Sequence, residues 1–316
     1  MRKALLLLSV LLSASVLPAG ESHVDEVVGS VLANVAKLKK ADSNAVAMAF
    51  WDFDGTILHG DISTGLTENG REVFRGLVCK GILAGYSKIY AGEAGWAQFQ
   101  VDYARLNEIG HFIAWPYNAQ LFAGADAAAL DVFCRKQCQE VYRPWYFKSS
   151  LEILSRLEAA GVENYVISGS PEVFVRAAAQ TINLPASRIN GVRVGIDGGR
   201  FSDRIEYPTP FEQGKIDILR RIVNTRGHAY AVAAFGDSYT NDGPFMHYVA
   251  TQRLPAGAKG TSMFINGDAA KRPAEYNGLF REVRQSEVVG EKRRIEDAQE
   301  SDFEFRIVTI ALKDKI

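Results

Sequence analysis

The sequence predicts an α/β domain: a parallel sheet between two helical layers, with a helical segment inserted after the first strand. Three observations predict it. Short continuous apolar runs recur at residues 45–51 (AVAMAFW), 164–167 (NYVI), 229–235 (AYAVAAF) and 261–265 (TSMFI), as strands buried on both faces require. Helical patterns at 149–160, 171–181 and 214–223 fall between them, and that alternation builds parallel sheets. The first three runs stop abruptly at Asp52, Ser168 and Gly236. Their polar sequels therefore gather beyond the carboxyl ends of the strands, where open α/β sheets bind ligands.

Taken in order, the chain opens with Arg2 and Lys3, an apolar run over 4–12 extended to 17, and Pro18-Ala19-Gly20. That layout predicts a secretory signal peptide over 1–20 and a periplasmic or secreted protein. The run is short of the ~20 apolar residues of a membrane helix, and no second long apolar stretch follows, so the mature chain is expected without a span. Apolar residues at Val24, Val27, Val28, Val31, Leu32, Val35 and Leu38 mark an amphipathic helix. The Rossmann-like, three-layer core is assigned to 21–65 and 143–316. Residues 66–142, rich in Gly, Ala, Tyr and Phe, are assigned to a small α-helical cap whose aromatics mostly pack its own core. Asp197-Gly198-Gly199 between short strand-like runs predicts a β-hairpin. Residues 291–316 open with charge and end apolar, and carry no assignment.

Cys134 and Cys138 sit one helical turn apart, at ~5–6 Å between Cβ atoms, too far for a disulfide at ~3.5–4.5 Å. They and Cys79 are expected as buried thiols with no metal-site spacing. With 36 basic and 37 acidic residues the formal net charge is -1, so nothing favours nucleic acid or an anionic membrane as a partner. No protein partner is implied.

The chemistry gathers at four places. Asp52 and Asp54, two apart at a strand end, share one side, and their mutual repulsion calls for a cation between them. Mg²⁺ suits oxygen ligands. Gly55 allows a tight turn, and Thr56 can hold a carboxylate through its hydroxyl. Ser168-Gly169 before a helix opening at Pro171 is either a phosphate cradle or a plain serine cap. Lys215, at the start of another helix, is either a fixed positive charge for phosphate oxygens or an exposed lysine. Asp237, with Asp242 five residues on, is either part of a metal site or an ordinary turn.

In this order the four pieces resemble the motifs of the haloacid-dehalogenase-like superfamily, over roughly residues 45–265. The long insert between the first two motifs looks like the helical cap of the phosphoserine-phosphatase-type branch. The resemblance implies a phosphatase that forms an aspartyl-phosphate. Asp52 would be the nucleophile and Asp54 the general acid and then base. Mg²⁺ would be held by Asp52, the Asp54 backbone carbonyl and Asp237, with Asp242 behind them or completing the site. Thr56, Ser168, Gly169 and Lys215 would hold the phosphoryl group. Asp61 stands where that branch carries an acidic substrate-reading residue; it would equally serve to cap the first cap helix. Arg71, Arg75 and Arg105 are candidates to read a substrate carboxylate. The implied substrate is a small phosphorylated metabolite, with phosphoserine-like and phosphorylcholine esters as alternatives. A catalytically silent binding protein on the same fold is the reading from another class.

Overall fold

A computed structural model describes residues 22–290; the expected signal peptide and the 291–316 tail lie outside the described residues. The chain begins with α1 (Ser22–Ala41) and β1 (Val46–Trp51). Next come the hairpin β2 (Gly65–Glu68) and β3 (Arg71–Arg75), then α2 (Leu77–Leu83), α3 (Gly92–Ile109), α4 (His111–Gln120) and α5 (Ala127–Gln137). After α6 (Lys148–Ala159), the chain forms β4 (Val162–Pro171), α7 (Glu172–Gln180), β5 (Ile189–Asp197) and β6 (Arg200–Glu206). It closes with α8 (Gln213–Asn224), β7 (Ala229–Gly236), α9 (Gly243–Thr251), β8 (Thr261–Ile265) and β9 (Arg281–Val283).

Among the described residues the main sheet has seven strands in the order β6-β5-β4-β1-β7-β8-β9. All neighbours run parallel except the β5–β6 hairpin. Gly198 and Gly199 take positive φ at its turn, as the Asp-Gly-Gly signal requires. β1 is central, and its side chains alternate between the two helical layers. Ala47, Ala49 and Trp51 join the core shared with α1, α6 and α7. Met48 and Phe50 join the core under α8 and α9. Each large side chain so buried contributes ~1.5–3 kcal/mol. Both faces must be apolar, and that makes the strand read as one continuous run.

The segment between β1 and β4 is mostly helical, as expected, but it opens with the β2–β3 hairpin. Its signal was present in the sequence: Asn69-Gly70, both at positive φ, is a strong two-residue hairpin turn. β9, three residues long, was also not anticipated. Cys79, Cys134 and Cys138 are buried and free.

Candidate active site

The site forms where β1, β4 and β7 end side by side. Asp52 follows β1 directly, and its amide donates to the Phe235 carbonyl of β7 at 2.9 Å. The chain then folds tightly over Gly55, which has φ +71; a Cβ there would lie 2.0 Å from Asp237 Oδ2. Only glycine lets this turn press against the Asp237 carboxylate.

Lys215 projects from the apolar face of α8 and is fully buried. Its Nζ donates to Asp52 Oδ1 at 2.5 Å and to Asp242 Oδ1 at 2.6 Å, with the Phe245 ring centroid 5.4 Å away. Burial alone would lower its pKa, but Asp242 and Asp52 more than offset this and hold it above the ordinary lysine value. Of the two sequence readings, the exposed lysine is therefore excluded. Thr56 Oγ1 donates to the other oxygen, Asp52 Oδ2, at 3.4 Å, so in this structure Thr56 steadies the carboxylate.

The Asp242 carboxylate is spent on organisation. Oδ2 accepts the amides of Asp237 and Ser238, both at 3.0 Å, and Oδ1 accepts Lys215 and Asn241 Nδ2. Asn241 Oδ1 accepts the Glu212 amide at 3.2 Å, joining this loop to the start of α8. One oxygen each of Asp52, Asp237 and Asp242 lies within 4.8 Å of the others. With four donors already on it, Asp242 fits a residue that positions Lys215 and the loop better than it fits a ligand.

Asp54 is held differently. Oδ1 accepts the Ile62 amide at 2.7 Å; Oδ2 accepts the hydroxyls of Ser170 at 2.7 Å and Ser168 at 3.3 Å. Burial, then the charges of Asp61 and Asp52, push its pKa well above the usual carboxylate range. Burial also pushes Asp237 well up, with Asp242 and Asp52 adding to it. Asp52 is raised to about 7, chiefly by burial and then by Asp242, with Lys215 opposing.

The donor set fits a hard divalent cation. It consists of carboxylate oxygens of Asp52, buried, and Asp237, half-buried, which with the neighbouring Asp242 make three acids that Lys215 alone does not neutralise.

A cavity of about 480 Å³ opens from these acids towards the inserted segment. It is lined by Gly60, Asp61, Ser63, Leu66 and Thr67, and by Tyr103, Trp115 and Asn118 from α3 and α4. Asp61 caps no helix: its Oδ1 accepts the amides of Ser63 and Thr64 at 2.7 and 2.8 Å. Gly169 meets Trp115 so closely that a Cβ would lie 2.7 Å from the indole. None of Arg71, Arg75 or Arg105 lines the cavity; Arg75 pairs with Glu72 and Glu93, and Arg105 with Asp102. Sequence reading missed Ser170, whose place two residues beyond Ser168 on an extended strand was its signal. It also missed Asn118, which carries no signal.

An α/β sheet with an acid cluster and a buried lysine at its carboxyl edge is a site suited to a cation and an anionic group. The haloacid dehalogenase-like hydrolase profile matches residues 49–247, and this chain belongs to that family. No curated protein matches the sequence. Among solved structures, a protein of unknown function from Bordetella pertussis Tohama I is 16% identical, with a TM-score of 0.58 over 76% of this chain and 99% of that one. A functionally unknown protein from Anaerococcus prevotii is 12% identical, with a TM-score of 0.49 over 74% and 85%. A phosphoserine phosphohydrolase-like protein from Francisella tularensis is 14% identical, with a TM-score of 0.42 over 70% and 87%.

Proposed function

We propose that the protein is an exported, Mg²⁺-dependent phosphatase that hydrolyses a small phosphomonoester through an aspartyl-phosphate on Asp52. The observation that carries this is the division of labour between two adjacent acids. Asp52 is ion-paired to a buried lysine, while Asp54 has, among the described residues, no basic partner and accepts the Ser170 and Ser168 hydroxyls, with burial raising its pKa above the usual carboxylate range.

In this reading Asp52 attacks phosphorus and Asp54 gives its proton to the departing alkoxide. The aspartyl-phosphate is then hydrolysed by a water from which Asp54, now ionised, takes a proton. Ser168 and Gly169 at the end of β4 hold phosphoryl oxygens, Lys215 offsets the charge of Asp52 and Asp242 behind them, and Thr56 fixes the Asp52 carboxylate. Binding of phosphate requires the Ser168 hydroxyl to leave Asp54, a weak contact at 3.3 Å. Asp52, Asp237 and the backbone carbonyl of Asp54 would hold Mg²⁺, which supplies charge neutralisation for the phosphoryl group when bound.

A phosphoserine-like substrate is disfavoured, because among the described residues no lysine or arginine lines the cavity to meet its carboxylate. The basic and then apolar N-terminus supports export, and cell fractionation checks it. Asp52→Asn should abolish turnover of p-nitrophenyl phosphate and leave the melting temperature within a few degrees; persisting activity would show that another group is the nucleophile.

A further inference from the structure

Asp54 is held by a chain of hydroxyls that runs back to the entry of the inserted segment. Ser170 Oγ donates to Asp54 Oδ2 at 2.7 Å. A serine hydroxyl has one hydrogen to give and an oxygen still able to accept. That oxygen accepts the Ser63 hydroxyl, also at 2.7 Å. Both serines are buried and line the cavity beside the acids. Ser63 is fixed in turn by its own backbone. Its amide donates to Asp61 Oδ1 at 2.7 Å, and its carbonyl accepts the Val78 amide in the first turn of α2 at 3.1 Å. The neighbouring Ile62 amide donates to the other oxygen, Asp54 Oδ1, at 2.7 Å.

The two hydroxyls on Asp54 have different work. In the phosphatase reading, Ser168 turns to a phosphoryl oxygen and gives up a contact of 3.3 Å. Ser170 is then the side chain left on Asp54 Oδ2. The carboxyl is located by two short contacts, the Ile62 amide on one oxygen and Ser170 on the other. Together they fix the plane of the group, and so the direction in which Oδ2 meets a leaving oxygen. Without the Ser170 hydroxyl only the Ile62 contact remains, and the carboxyl can turn about its Cβ–Cγ bond. Misplacing a reacting group by ~1 Å can cost on the order of a hundredfold in rate.

Resting on the phosphatase reading above, we infer that Ser170, held in place by Ser63, is a positioning residue that aims the Asp54 carboxyl at the leaving-group oxygen. In the step concerned the bond from Asp52 to phosphorus forms and the bond from phosphorus to the ester oxygen breaks. The Asp54 proton passes to that oxygen, and the alcohol departs neutral. The proton matters most when the departing group is a strong base. It matters least for p-nitrophenolate, which leaves readily as the anion. Loss of Ser170 therefore falls unequally on good and poor leaving groups.

The test uses the purified full chain with Mg²⁺ and four aryl esters of similar size: p-nitrophenyl, p-cyanophenyl, phenyl and p-methylphenyl phosphate. The readout is kcat/KM, which reports the step that releases the phenol. Ser170→Ala should lower it about tenfold or more for phenyl and p-methylphenyl phosphate, and less than about threefold for p-nitrophenyl phosphate. Ser63→Ala should steepen the dependence on leaving-group basicity in the same direction, by less. Ser170→Thr keeps the hydroxyl and should stay within about twofold of the wild type across the set. Inhibition by inorganic phosphate should be unchanged in Ser170→Ala. Equal losses across the four esters would mark a merely structural role and overturn the inference. A raised phosphate inhibition constant with no steepening overturns it too, because Ser170 would then be holding phosphoryl oxygens itself. So does a Ser170→Thr variant as steep as Ser170→Ala, since the hydroxyl would not be the operative group. Each of these outcomes leaves the wild-type turnover, and so the phosphatase reading, standing. No turnover of any ester by the wild type, with Mg²⁺ bound, sinks that reading as well.

Discussion

Replacing Lys215 with methionine removes a charge while keeping most of the side-chain volume, so its effect reports electrostatics. In the folded protein Nζ lies 2.5 Å from Asp52 and 2.6 Å from Asp242, with lysine and Asp242 side chains both fully buried. Breaking a buried pair by deleting one partner strands the other charge and costs ~3–5 kcal/mol. At about 2–4 °C per kcal/mol for a chain somewhat smaller than this one, Lys215→Met should lower the melting temperature by about 6–20 °C at pH 8. The loss should depend on pH. Asp52 is already raised to about 7, chiefly by burial, and losing Lys215 raises it further. A carboxyl with a raised folded-state pKa keeps a proton that the unfolded chain gives up above about 4. The penalty is therefore small near pH 4–5, grows through pH 7, and is fully present above the folded-state value. Adding Asp242→Asn removes one of the stranded charges and should restore part of the stability at pH 8, a coupling that a double-mutant cycle measures. Scanning fluorimetry of the four proteins at pH 5 and 8 is the assay. A shift under about 2 °C at pH 8, equal losses at both pH values, or no recovery in the double variant would refute the electrostatic account.

Mg²⁺ should raise the melting temperature more at pH 8 than at pH 5, because burial favours protonation of Asp52 and Asp237 and the cation must displace those protons; calorimetry in buffers of different ionisation enthalpy should detect proton release. Gly55→Ala should weaken Mg²⁺ binding by at least about tenfold by titration, since its methyl would strike the Asp237 carboxylate and alanine disfavours positive φ. The thiols should be nearly inert to Ellman's reagent in the native protein and react after denaturation. Burial raises Cys79 to about 11, and raises Cys134 and Cys138 further still.

The sheet and its acid cluster were legible in the sequence for one physical reason. A strand buried on both faces must be apolar throughout, so β1, the end of β4, β7 and β8 stand out, and the polar residue that ends each run is conspicuous. Asp52, Ser168 and Asp237 are found that way. The inserted segment is less legible. A cavity wall is assembled from single residues on different helices, and no local period announces which face points inwards. Tyr103 and Asn118 are fifteen positions apart yet hydrogen-bonded, a relation fixed only by how α3 and α4 pack. Asp61 shows the converse: its position after the first motif is readable, but its engagement with Ser63 and Thr64 depends on a loop geometry that the sequence alone leaves open.

The contact between Gly169 and Trp115 bears on how the two halves of the site work together. Gly169 belongs to the loop expected to hold phosphoryl oxygens, and Trp115 belongs to the helix that also carries Asn118. Their surfaces touch so closely that no side chain fits at position 169. An alanine at position 169 would therefore have to push the indole, and α4 with it, away from the end of β4. Because close-packed surfaces transmit small displacements, such a change should disturb the phosphoryl end and the α4 wall of the cavity together. Contact of this kind between the phosphate-facing segment and the cavity wall lets changes in the wall act on kcat as well as on KM, since binding energy from the non-reacting part of a substrate can be used to organise the reacting end.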